Sequence, residues 1–124
     1  MFQSERIFSS FSVNDISEAE DFYTKILGLN AKRNAMGVLV LEISDHHKIL
    51  IYLRAAHRPA DFTVLNLPVA NIEKAVDTLV QKGIRFEHEG EIETNFKGIF
   101  RTATGKGLAW FRDPAGNIIS LLEE

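Results

Sequence analysis

The chain has 124 residues, of which 45% are hydrophobic and 25% charged, with a formal net charge of −3 and no cysteine. That is the size and composition of one soluble globular domain able to bury a core. The acidic balance, with no basic stripe, excludes an electrostatic nucleic-acid binder; the lack of cysteine excludes disulfides, thiolate metal sites and a cysteine nucleophile. No signal peptide or long apolar run is seen, so no membrane partner is expected and the cytoplasm is the expected location.

In chain order, residues 5–13 predict a strand with Phe8 and Phe11 as its heavy side chains. A helix follows. Asp15 suits the N-cap, Glu18 completes a capping box, and Ile16, Ala19, Tyr23, Ile26 and Leu27 fall on one apolar face before Gly28 stops it. Residues 30–35 read as a short polar strand or loop, and 37–43 and 49–54 as a hairpin turning at 44–48. Residues 55–61 contain a proline and small residues and read as a linker. Residues 62–69 predict a strand leading into a second helix that starts at Asn71 and ends at Gly83. Further strands are expected at 84–88, 98–103, 107–112 and 118–122, with an acidic mobile loop at 89–98. Asp113-Pro114-Ala115-Gly116-Asn117 is a turn: Asp at the first corner, Pro presetting φ, Gly taking a positive φ.

The two halves repeat. Val13, Asp15, Ile16, Ala19 and Asp21 match Val69, Asn71, Ile72, Ala75 and Asp77, all at 69 minus 13, or 56 residues. Gly83 answers Gly28 with a displacement of one. Residues 37–41 resemble 107–111, and 49–53 resemble 118–122 at 118 minus 49, or 69. Each half therefore reads β-α-β-β-β, module one over about 1–56 and module two over 62–124.

Phe22-Tyr23 followed by Leu27-Gly28-Leu29, a helix preceded by Val13-Asn14-Asp15, and the terminal Asp113-Pro114-Ala115-Gly116-Asn117 together resemble the vicinal oxygen chelate superfamily. That superfamily includes glyoxalase I, extradiol dioxygenases and bleomycin-resistance proteins. The resemblance implies an α+β fold in which two tandem βαβββ modules form a curled mixed sheet around a cleft, usually completed in a homodimer. It also implies a divalent metal held by His and Glu at symmetric places in the modules. Here those places fall on Phe8, Ile51, Val64 and Ser120. Three offer no ligand atom and serine alone is a poor one, so no metal cofactor is expected. His46 and His47 sit in a turn, His57 in the linker and His88 at a strand end, none at ligand spacing. Ser9, Ser10 and Ser12 lack a nucleophile elbow and an identifiable His–acid pair.

What remains is an expected cleft. If Phe8, Ile51, Val64 and Ser120 face it, period-2 alternation adds Ser10, Ser12, Ile49, Leu53, Phe62, Asn66, Ile118 and Leu122. Trp110 and Phe100 offer flat stacking surfaces, Arg101, Arg54 and Glu42 offer charge to orient a polar ligand, and the 89–98 loop is placed to act as a flap. The expected function is metal-independent binding of an aromatic or amphipathic small molecule. An alternative is a glyoxalase-like lyase, isomerase or dioxygenase with a relocated metal, which needs two of His46, His47, His57, His88, Glu42 and Glu87 to converge. A third reading uses the module as a scaffold for binding another protein.

Overall fold

The computed structural model describes residues 1–88 and 93–124. The chain divides into two compact units, Met1–Pro59 and Ala60–Glu124. The first holds β1 (Ser9–Val13), α1 (Ile16–Asp21), β2 (Ala31–Arg33), β3 (Leu39–Ser44) and β4 (His47–Leu53). Its sheet runs β1-β4-β3-β2, with β1 parallel to β4 and the other pairs antiparallel. The second unit holds β5 (Thr63–Val69), α2 (Ile72–Gln81), β6 (Phe100–Arg101), β7 (Gly107–Arg112) and β8 (Ile118–Glu123). Its sheet repeats the plan as β5-β8-β7-β6, with β5 parallel to β8. Two βαβββ modules, each with a mixed four-stranded sheet, are therefore present.

Both helices start as their sequences dictate. The Glu18 amide donates to Asp15 Oδ1 at 3.0 Å, and the Lys74 amide to Asn71 Oδ1 at 3.1 Å. Each bond satisfies one of the amides a helix N-terminus leaves unpaired. Gly28 and Gly83 close them at φ +71° and +94°, in the left-handed region where a Cβ is costly. The first helix is not uniform, however. After Asp21 it widens into a π turn over Phe22–Ile26, where the Leu27 amide donates to the Phe22 carbonyl. This explains the displaced glycine: from cap to glycine there are 13 steps in the first unit (28 minus 15) and 12 in the second (83 minus 71). The π turn absorbs the additional residue. It also lets adjacent Phe22 and Tyr23 both bury, their rings edge to face at 5.1 Å.

In each unit the helix covers one face of the sheet. Phe11, whose ring lies 6.1 Å from that of Tyr23, shares the covered face with Val13, Leu39, Leu41, Ile49 and Ile51, the last five all buried. In the second unit Ala109, Phe111, Ile119 and Leu121 take the positions of Leu39, Leu41, Ile49 and Ile51; Leu65 lies opposite Ile119 on the same face, and Phe86 packs edge-on against Phe111 at 5.4 Å. Pro68 is tolerated because β5 is an edge strand.

Several boundaries differ from the sequence reading. The strand expected at 84–88 contributes a single bridge, Phe86 to Phe111, because only Ile84 and Phe86 turn inward. The strand expected at 98–103 pairs only at Phe100 and Arg101. Of the expected acidic mobile loop, residues 89–92 lie outside the described residues. Residues 95–99 form a turn in which Asn95 Oδ1 accepts from the Lys97 and Ile99 amides at 2.9 and 3.0 Å. Lys97 then reaches back to α2, where hydrogen bonding to Asp77 raises its pKa and nearby Glu73 adds to the effect. The 113–117 turn forms as expected: Asp113 Oδ1 accepts from the Ala115 and Asn117 amides, and Gly116 sits at φ +87°.

Candidate functional site

The uncovered face of the second sheet gathers most of the expected site residues in that half. Trp110, Ser120 and Asn66 stand side by side on β7, β8 and β5, so all three point to one face. Ser120 is buried, and its hydroxyl donates to Asn66 Oδ1 at 2.6 Å. Phe100, Leu108, Leu122 and Pro68 form the next row on the same face. Val64 falls in the register irregularity between Thr63 and Leu65. At the other end Arg112 pairs with Ile118, and there a recess of about 320 Å³ opens, lined by Phe62, Trp110, Glu87, Arg112, Asp61 and Ile118, with two threonines. Arg112 is held in place: its Nε donates to Glu87 Oε1 and its Nη1 to the Gly116 carbonyl at 3.0 Å. The Glu87 amide in turn donates to the Trp110 carbonyl at 2.8 Å.

Arg101 does not belong to this face. Its Nη1 donates to Glu123 Oε1 at 2.9 Å and its Nη2 lies 3.6 Å from Glu73 Oε2 on α2, so it lies on the helix side. Glu123 also accepts from the Ile72 and Gly107 amides. Those contacts, the Ile72 amide first, hold its pKa below the ordinary carboxylate value. Arg101 thus ties the sheet edge to the start of α2.

In the first unit the expectation that Phe8 and Ile51 share a face does not hold. Ile51 lies opposite Phe11 and Leu39 on the helix-covered side and is fully buried. Ser10 pairs instead with Leu50, and Leu50 with Val40, on the uncovered face. The register identifies the slip. Ser120 pairs with Asn66 as Leu50 pairs with Ser10, so the last strands correspond at 120 minus 50, or 70, not 69. A slip of one residue turns every side chain to the other face. The place symmetric with Ser120 is therefore Leu50. Phe8 precedes β1 and is half exposed, with Lys48 Nζ 5.4 Å above its ring. It helps line a larger recess of about 850 Å³ with Glu42, Asp45, His46 and His47.

Some neighbours were missed from sequence. Ser12 Oγ lies 2.7 Å from His57 Nδ1, although 45 residues separate them and no motif links them. Arg112 had a readable signal, alternation two places beyond Trp110, whereas the approach of Glu87 had none. Among the described residues, no three His, Asp or Glu side chains come together as a metal would need, and no helix is long and apolar enough to cross a membrane.

The sequence matches the model of the Glyoxalase/Bleomycin resistance protein/Dioxygenase superfamily over residues 8–121. The chain belongs to that superfamily. No curated protein sequence matches it. Among solved structures it is similar to a superfamily member from Sphaerobacter thermophilus, with 24% identity, 95% of this chain and 96% of the other covered, and a TM-score of 0.72. It is similar to lactoylglutathione lyase from Agrobacterium tumefaciens at 18% identity, with 94% and 92% covered and a TM-score of 0.70. A virulence protein from Salmonella typhimurium gives 24% identity, 99% and 97% covered, and a TM-score of 0.66. At these identities the likeness is one of fold. With the register corrected, the places where the superfamily resemblance puts metal ligands hold Phe8, Leu50, Val64 and Ser120. None carries imidazole or carboxylate, and the one hydroxyl is given to Asn66. These side chains do not fit a divalent metal.

Proposed function

We propose that this superfamily member is a metal-independent binder of an aromatic or amphipathic small molecule. The observation that carries the reading is the uncovered face of the second sheet. There Trp110, Phe100, Leu108, Leu122 and Ile118 are only half buried, and a recess opens beside Trp110. Flat and aliphatic side chains around a few fixed polar groups are the usual make-up of a ligand site. The donor-poor set Phe8, Leu50, Val64 and Ser120 supports the metal-independent part. The lyase from Agrobacterium tumefaciens shares the fold at 18% identity, which does not carry its chemistry here. As in the resemblance noted from sequence, the reading takes the working form as a homodimer, which sedimentation velocity tests directly.

Trp110 is the chain's single tryptophan, so its fluorescence reports on this recess alone. Untagged protein is expected to contain no stoichiometric metal by elemental analysis. A panel of small aromatic compounds is expected to include members that shift Trp110 emission saturably. One tightly bound divalent metal per chain would sink the reading.

A further inference from the structure

We propose that the recess beside Trp110 takes a compact aromatic cation, a deepening that rests on the small-molecule reading above. Its volume of about 320 Å³ is at the small end of ligand pockets, enough for a fused bicyclic ring rather than an extended chain. Two of its walls are aromatic. Phe62 is 65% exposed, and Trp110, the side chain whose π face best attracts a cation, is half buried.

The charges around the recess choose the sign of the ligand. Asp61 and Glu87 supply two carboxylates, and Arg112 one guanidinium. The guanidinium is committed to Glu87 and the Gly116 carbonyl. Asp61 is exposed and forms no ion pair among the described residues. An anion would meet an uncompensated carboxylate, and a neutral ring would cover that carboxylate without answering it. A ring carrying positive charge satisfies Asp61 and gains the attraction of the indole face. The net charge of −3 favours its approach as well.

The test is calorimetric titration of the full chain at pH 7.5 with three probes of similar shape: 1-methylquinolinium chloride, quinoline and 1-naphthoate. The cation is expected to bind one to one, at least about tenfold tighter than quinoline, with no measurable heat from naphthoate. Asp61→Asn, an exposed change that spares the fold, is expected to weaken the cation about threefold to fivefold, and added salt to act in the same direction. Trp110→Leu is expected to weaken it further, with Trp110→Phe intermediate. Equal affinity for the three probes, or no effect of Asp61→Asn, overturns the cation assignment and leaves the small-molecule reading standing. Absence of saturable heat from methylquinolinium overturns the assignment too, whereas the reading beneath it falls on a stoichiometric metal or on an aromatic panel in which no member shifts Trp110 emission.

Discussion

The two units build one module from different side chains. Their covered faces hold Leu39, Leu41, Ile49 and Ile51 in the first and Ala109, Phe111, Ile119 and Leu121 in the second, position for position at 70 residues. A pair of leucines is replaced by an alanine and a phenylalanine, so volume moves along the strand while the face stays apolar. The helices differ in step: Phe22 and Tyr23 bury through a π turn, while regular α2 buries Ile72, Val76 and Leu79. The uncovered faces have diverged furthest. The row Ser10, Leu50, Val40 of the first is Asn66, Ser120, Trp110 in the second. The covered face keeps its apolar character while individual side chains change size, and the face the helix leaves open is the freer to change.

Core substitutions give the largest expected effects. Phe111→Ala should lower the unfolding free energy by about 3–5 kcal/mol, read by urea titration, since Phe111 is fully buried against Phe86. Ala109→Leu alone should cost about 1–3 kcal/mol by overpacking. The double change Ala109→Leu with Phe111→Leu installs the first sheet's pair and should lose less than the sum of its single changes. Strictly additive losses would mean that the two cores are not versions of one packing solution.

Gly37 and Gly107, equivalent at the same 70 residues, are glycine for different reasons. A Cβ on Gly107 would meet Ile72 Cγ2 at 2.7 Å, whereas Gly37 has open space but a φ of +78°. Alanine at 107 should cost about 1–3 kcal/mol through crowding, and at 37 about 1–2 kcal/mol through backbone strain. Asparagine distinguishes them, because it tolerates the left-handed region: it should recover stability relative to alanine at 37 and lose more at 107. The same direction at both sites would remove the distinction.

Glu123 is a tie that the first unit lacks, since its counterpart Leu53 is 60% exposed. Its pKa is lowered in the folded protein by the Ile72 and Gly107 amides and by Arg101. A depressed carboxylate adds stability above its unfolded pKa of about 4.3, and that stability is lost as pH falls through the folded value. The stability gap between the native chain and Glu123→Gln should therefore be level near neutrality and narrow in the acid range. Leu53→Glu should create no such slope, and a gap independent of pH would show that the carboxylate's charge contributes nothing.

How far the sequence could be read follows from the length scale of each signal. Caps, glycine stops and the 113–117 turn were legible because each depends on residues within four positions of one another. The π turn left a trace, the one-residue displacement of Gly83, but one step of length does not say where the helix widens. The metal-site assignment failed at Ile51 for a similar reason. Ile-Leu-Ile-Tyr-Leu matches the last strand at two places at 69 and at only one at 70, so the sequence favours the wrong offset and only pairing with Ser10 and Asn66 selects the right one. Arg101 read as a site residue because its partners Glu73 and Glu123 are 28 (101 minus 73) and 22 (123 minus 101) residues away. The recess depends on Asp61, Glu87 and Trp110 meeting across the second unit, which no local pattern encodes.

The smallest expected effect is a difference between two similar losses. Asp15→Ala and Asn71→Ala each remove a side-chain oxygen that accepts one helix amide, so each should cost about 1 kcal/mol. Asp15 also carries charge at the positive end of its helix, which adds a few tenths of a kcal/mol at low salt. The aspartate should therefore cost slightly more at low ionic strength, and the two losses should converge as salt screens the charge. A gap that persists in high salt would trace instead to the helices, with the short α1 and its π turn depending on the cap more than the regular α2 does.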